Sequence, residues 1–281
     1  MKKDFLSLFD WTKEEIDEFL AHAAELKKEQ KRGKVSSSLS GKTIGLIFDK
    51  PSTRTRVSFE AGMAQLGGQS IFLPGGELQL SRGETIGDTA RVMSRYVDGV
   101  VIRTFSHKMV EDFAAQAEVA VINGLTDLLH PCQILSDVFT LKEKRGRYDN
   151  LSIVYVGDGN NVANSWINAA ARLGFNLTLA CPEGYQPSKG ILARALQKEE
   201  SKIRVNEDPR EAVKGADVIY TDVWASMGQE NEAGKRAEVF VPFQVNEQLV
   251  KQGDKDVLVM HCLPAHRGEE ITDEVIDGPH S

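Results

Sequence analysis

Residues 49–60 read Asp49-Lys50-Pro51-Ser52-Thr53-Arg54-Thr55-Arg56-Val57-Ser58-Phe59-Glu60. The run before them, Thr43-Ile44-Gly45-Leu46-Ile47-Phe48, has the length and apolarity of a buried strand. After them, Val57, Phe59, Met63 and Leu66 put apolar groups on a helix that stops at Gly67-Gly68. The turn between strand and helix is suited to an anion. The first helical turn carries N–H groups without partners inside the helix and the positive end of the peptide dipoles. Ser52, Thr53 and Thr55 add hydroxyls, and Arg54 and Arg56 add guanidinium forks that bind phosphate oxygens in pairs. A capping serine followed by surface arginines would account for one or two of these residues, not for five in a row.

The rest of the chain repeats the strand–turn–helix unit. Strands are expected at 69–73, 99–102 and 119–122, with helices at 84–96 and 107–117 between them. A helix opens at Pro131, and the charged stretch 143–150 marks a domain boundary, giving units 1–142 and 143–281. Strands at 151–156, 176–180, 202–205, 217–221 and 257–260 follow, separated by helices after Asn160 and near 189–200, 209–214 and 244–251. Strands separated by helices pair in parallel. The pattern predicts an α/β fold of two doubly wound domains, each with a central, mainly parallel sheet flanked by helices. Ahead of both, Thr12-Lys13-Glu14-Glu15 has capping-box form before an apolar helix face.

With 281 residues, 41% hydrophobic content and a net charge of −7, the chain has ample core and no overall attraction to nucleic acid or an anionic membrane surface. The basic cluster at 54–56 is a local exception, so its target should be small. The amino terminus lacks a secretory pattern and no run is long enough to span a membrane, which points to the cytoplasm. Three cysteines, Cys132, Cys181 and Cys262, without a C-x-x-C pair, fit reduced thiols.

Chemistry-bearing residues cluster where strands are expected to end, which is where open α/β sheets bind ligands. Arg103 follows one strand; His130 and Gln133 flank the helix start at Pro131, where Gln133 offers an amide donor. Asp222 follows another strand, offering a carboxylate to a cation, and Cys262 a third. Gly157-Asp158-Gly159-Asn160-Asn161 invites a dinucleotide-binding reading, but Val162 stands where the last glycine would fall. No acid suited to a ribose ends strand 176–180. Asn160 and Asn161 look instead like side chains aimed at a polar ligand. Zinc bound by His130, Cys132, His261 and Cys262 has no supporting spacing. Adjacent His261 and Cys262 on an extended segment should also face opposite ways, so no metal is expected. The loop 75–83, glycine at both ends, suits a flap or a contact to another subunit.

Six motifs then coincide in order: Ser-Thr-Arg-Thr-Arg at 52–56, Asp-Thr-Ala-Arg at 88–91, His-Pro-Cys-Gln at 130–133, Gly-Asp-Gly-Asn-Asn at 157–161, Asp-Val-Trp-Ala-Ser-Met-Gly at 222–228 and His-Cys-Leu-Pro at 261–264. Together they resemble the aspartate/ornithine carbamoyltransferase family, over nearly the whole chain. The last two select its ornithine branch. The resemblance implies transfer of the carbamoyl group of carbamoyl phosphate to the side-chain amine of L-ornithine, giving L-citrulline and phosphate without a cofactor. It implies that Ser52, Thr53, Arg54 and Thr55 hold the phosphate, with Gln79 reaching in from a neighbouring subunit of a trimer. Arg103, His130 and Gln133 would address the carbamoyl carbonyl, and Arg56 would support rather than touch. Asn161, Asp222, Ser226 and Met227 would bind ornithine, while Cys262 and the backbone of Leu263 line the reacting centre. Of Asp222 and Cys262, the thiol is expected to take the amine proton, a carboxylate of ordinary pKa being a weak base. The family pattern continues past the position of Ser281 with an acidic stretch, an arginine and a terminal helix. Competing expectations are another acceptor amine, putrescine or aspartate, and a non-catalytic carbamoyl-phosphate-binding protein.

Overall fold

The computed structural model describes residues 2–198, 202–225 and 233–281. Its contacts divide the chain into two compact units, Met1–Cys132 and Gln133–Ser281.

In the first unit, β1 (Thr43–Phe48), β2 (Gln69–Pro74), β3 (Gly99–Arg103) and β4 (Ala120–Leu125) form a sheet of order β2-β1-β3-β4, every pair parallel. The intervening helices are α2 (Thr53–Gln65), α3 (Ile86–Tyr96) and α4 (His107–Gln116), each begun by a side-chain cap: Ser52, Thr85 and Ser106. Helix α1 (Lys13–Lys31) opens on the expected capping box of Thr12 and Glu15. Both sheet faces are covered, one by Ile47, Val100, Ile102, Val110, Phe113 and Val121, the other by Leu46, Phe48 and Val101 with Phe59 and Phe72 against them. Val57, expected on the apolar face of α2, is exposed instead. The loop after β2 folds into two short 3-10 turns, Gly75–Glu77 and Gln79–Arg82.

Helix α5 (Pro131–Arg145) crosses the division in its first turn and by its contacts groups with the second unit from Gln133 onward. That unit holds β5 (Ser152–Val156), β6 (Asn176–Ala180), β7 (Ile203–Val205), β8 (Val218–Thr221) and β9 (Leu258–His261) in the order β7-β6-β5-β8-β9, again all parallel. Strand β5 therefore lies at the centre, and the chain reverses its winding there, placing the turns after β5 and β8 side by side. Connecting helices are α6 (Asn161–Leu173), α7 (Lys189–Leu196), α8 (Pro209–Ala212), α9 (Ala233–Phe240), α10 (Glu247–Val250) and α11 (Asp273–Ile276). Helix α9 was not anticipated; its Phe240 packs into a core with Trp224, Phe243, Val245, Ile219 and Val259.

Candidate functional site

In the first unit the Ser52-Thr-Arg-Thr-Arg segment forms the start of α2 at the carboxyl end of β1. Ser52 is extended, with φ at −161°, and its Oγ accepts the Thr55 N–H at 3.3 Å, so the hydroxyl does cap the helix. The two arginines then part company. Arg56 donates from Nε to Glu60 at 2.9 Å and lies 3.6 Å over the Phe72 ring, which commits it to the fold. Arg54 is exposed and, among the described residues, meets no acid. It stands beside the unfilled N–H groups of the first turn, the place an anion would occupy.

Arg103, the last residue of β3 and only 9% exposed, donates to Thr55 Oγ1 at 3.2 Å. This bond ties the neighbouring strand's guanidinium to the helix start. Burial, and then the charge of Arg103, hold His130 down to about 3, so its imidazole is neutral at physiological pH. Sequence reasoning gave Lys50 no role. It is 4% exposed, paired with Asp127 and set 4.2 Å over the Phe105 ring, a buried cation beside the same turn. Its place between a strand and Pro51 was the available signal. Gln79 lies exposed in its 3-10 turn.

In the second unit a buried polar group joins the ends of β5, β8 and β9. Asp222 is 5% exposed; its Oδ1 accepts the Cys262 thiol at 2.9 Å and its Oδ2 accepts Asn160 Nδ2 at 2.7 Å. Asn160 Oδ1 in turn receives Val162 N–H, Ala163 N–H and the Tyr155 hydroxyl at 2.9, 3.2 and 3.2 Å. Asn160 is thus consumed by capping α6 and orienting Asp222, not aimed at a ligand, while Asn161 opens the helix. Ser226 and Met227 lie outside the described residues.

Expectations are corrected at three points. The first concerns Cys262. Burial, and then Asp222, push its thiol well above the ordinary cysteine range, and the thiol donates to the carboxylate. Cys262 is therefore a donor, and Asp222 is the acceptor of the pair. The second concerns Gln133, whose Nε2 donates to Asp137 at 3.0 Å. Its NH₂ end is turned to that carboxyl, and the opposite end of the amide is an acceptor oxygen, unsuited to a carbonyl. The third concerns His261 and Cys262. Their ligand atoms and that of Asp222 lie within 4.8 Å of one another instead of facing apart. Strand β9 ends at His261 and the chain turns at Leu263, whose φ is +59°. That turn is held by the Leu263 N–H on His261 Nδ1 at 2.8 Å, and His261 Nε2 meets the fully buried Glu270 at 3.0 Å. Both ring nitrogens are engaged, as is the thiol.

The glycines of 157–161 serve the backbone. Gly157 has φ of +134°, and a Cβ on Gly159 would lie 2.2 Å from the Pro187 nitrogen. Asp158 pairs with Arg236 of α9 at 3.0 Å, both nearly buried, and Arg236 also donates to the Trp224 carbonyl at 2.8 Å. Asp137, which the sequence reading passed over, is 6% exposed and receives the Tyr220 hydroxyl at 2.8 Å. Burial pushes it up to about 7, the bonds from Tyr220 and Gln133 pulling the other way and Asp222 adding to the rise.

Residues 3–143 match the family model for the aspartate/ornithine carbamoyltransferase carbamoyl-P binding domain, and residues 149–281 match that for the Asp/Orn binding domain. The chain is 60% identical over 281 residues to the ornithine carbamoyltransferase of Syntrophus aciditrophicus, covering 100% of this chain and 93% of the relative. Against that of Thermococcus kodakarensis it is 56% identical over 282 residues, covering 99% of this chain and 90% of the relative. The solved structure of ornithine carbamoyltransferase from Pyrococcus furiosus superposes with a TM-score of 0.95 at 55% identity, over 99% of this chain and 90% of that one. With both units matched and these identities sustained along its length, the chain belongs to the aspartate/ornithine carbamoyltransferase family.

Proposed function

We propose that this protein transfers the carbamoyl group of carbamoyl phosphate to the side-chain amine of L-ornithine, releasing L-citrulline and phosphate. The observation that carries the phosphate half is the Arg103–Thr55 bond, which fixes a guanidinium at the open first turn of α2. The ornithine half is supported by the 60% identity to a relative bearing that name. Ser52, Thr53, Arg54 and Thr55 would receive the phosphate, with Gln79 supplied by a neighbouring subunit of a trimer. Asn161, Ser226 and Met227 would hold the amino-acid end of ornithine, and the Leu263 backbone the carbamoyl group. The protein would work in the cytoplasm.

An alkylammonium has a reference pKa of about 10.4, so the amine must lose a proton to become a nucleophile. Asp222, already an acceptor from Cys262 and Asn160, would orient the amine and take that proton. As the nitrogen–carbon bond forms, charge grows on the carbonyl oxygen, where Arg103 and neutral His130 donate. A fixed donor of this kind contributes about 3 kcal/mol. The carbon–oxygen bond to phosphate then breaks, the phosphate keeps the electron pair, and the attacking nitrogen gives its second proton to the departing phosphate. Parallel citrulline, carbamoyl-putrescine and carbamoyl-aspartate assays test the assignment. Product with ornithine alone is expected, and turnover with another amine in its place would overturn it.

A further inference from the structure

Gln133 sits in the first turn of α5 and Asp137 one turn later on the same helix face. The glutamine Nε2 donates to Asp137 Oδ1 at 3.0 Å, while Oδ2 accepts the Tyr220 hydroxyl from β8 at 2.8 Å. Tyr220 is fully buried and also lies beside the Cys262 thiol. In that bond Gln133 turns its NH₂ to Asp137, which leaves Oε1 to point elsewhere. A glutamine without such a partner offers either end of its amide at similar cost. Here the choice is made before any substrate arrives, by a carboxylate that is itself held from the other side.

We propose that Asp137, braced by Tyr220, is a positioning residue that presents Gln133 as an acceptor, so that the site selects a carbamoyl group over an acyl group of the same shape. The carbamoyl nitrogen can donate to Gln133 Oε1; the methyl of acetyl phosphate cannot. A site that buries an acceptor rejects the analogue that leaves it unfilled, and does so more sharply than a site that merely fits shape. The inference rests on the reading of Gln133 as the residue that meets the carbamoyl group.

The test compares dissociation constants for carbamoyl phosphate, acetyl phosphate and inorganic phosphate in the unsubstituted protein and in Asp137→Ala. Loss of the oriented acceptor should cut the preference for carbamoyl over acetyl phosphate by about 10- to 100-fold. Inorganic phosphate should bind as before, whereas a merely structural role would weaken all three together. Gln133→Leu should lose the same preference, and the double variant no more than either alone. Preference retained in Asp137→Ala overturns the proposal. A second measurement needs neither variant nor substrate: exchange of the Gln133 side-chain amide protons in the unsubstituted protein. Protection supports the proposal, and exchange at the rate of free glutamine overturns it. Absence of citrulline formation would count against the function, and the exchange result stands apart from it.

Discussion

The Cys262 thiol points its proton at Asp222, Sγ lying 2.9 Å from Oδ1, and this direction decides which of the two accepts. A thiolate beside a buried carboxylate would set two negative charges in contact, so the proton stays on sulfur. Cys262→Ser keeps a donor in place and is expected to retain ornithine affinity and turn over within about tenfold of the parent. Asp222→Asn removes the acceptor and should lower kcat by about 100-fold or more. Steady-state kinetics on the two variants check the order; the opposite ranking would return the proton to Cys262.

Arg54 and Arg56 differ by two residues and should differ in kind. Replacing Arg54 with Gly removes a side chain that touches no acid among the described residues, so the melting temperature should barely move. The KM for carbamoyl phosphate should rise by about 100-fold, as expected for a lost charge-assisted contact. Arg56→Ala should instead act through folding, since it deletes the Glu60 pair and the Phe72 stack.

Two buried groups oppose each other in the pH dependence of stability. His130 takes its proton near 3 in the fold and near 6.5 when unfolded, so between these values the unfolded chain binds more protons and stability climbs with pH. Asp137 takes its proton near 7 in the fold and near 3.8 when unfolded, so across that window stability falls with pH. Where the windows overlap the two nearly cancel. His130→Asn should therefore expose a decline in melting temperature from about pH 4 to 7, and Asp137→Asn a rise from about pH 3 to 6.5. Each slope is at most about 1.4 kcal/mol per pH unit. Scanning calorimetry across pH would show it, and identical profiles in both variants would contradict it.

Arg236 and Asp158 form an ion pair with side chains 8% and 9% exposed. Arg236→Met removes the guanidinium that faces a buried carboxylate and is expected to cost about 3–5 kcal/mol, measurable by urea unfolding. Adding Asp158→Asn should recover part of the loss. If the single variant were as stable as the parent, the pair would not be holding α9.

The layered alternation was legible because period and length separate strands from helices, and the nine strands among the described residues lie within a residue or a few of where hydrophobic runs placed them. Helix α9 was missed because Ala233–Phe240 is short and charged, and its anchor Phe240 reads as helical only beside its core partners. Strand order was not legible either, since parallel neighbours are chosen by tertiary packing and leave no mark on spacing. At the candidate site, the direction of individual hydrogen bonds was not legible. Which end of its amide Gln133 turns to Asp137 depends on a carboxyl that in turn meets Tyr220 across 83 positions of sequence. That Cys262 is a donor depends on Asp222, 40 positions away.

Gly159 carries a further lesson for anyone who maps tolerance by saturating this chain with substitutions. Every variant at that position would score as damaged, because the neighbouring segment at Gln186 and Pro187 fills the volume of even a methyl group. Such a score would mimic the fingerprint of a nucleotide binder. It would record instead how closely two stretches of main chain run past each other.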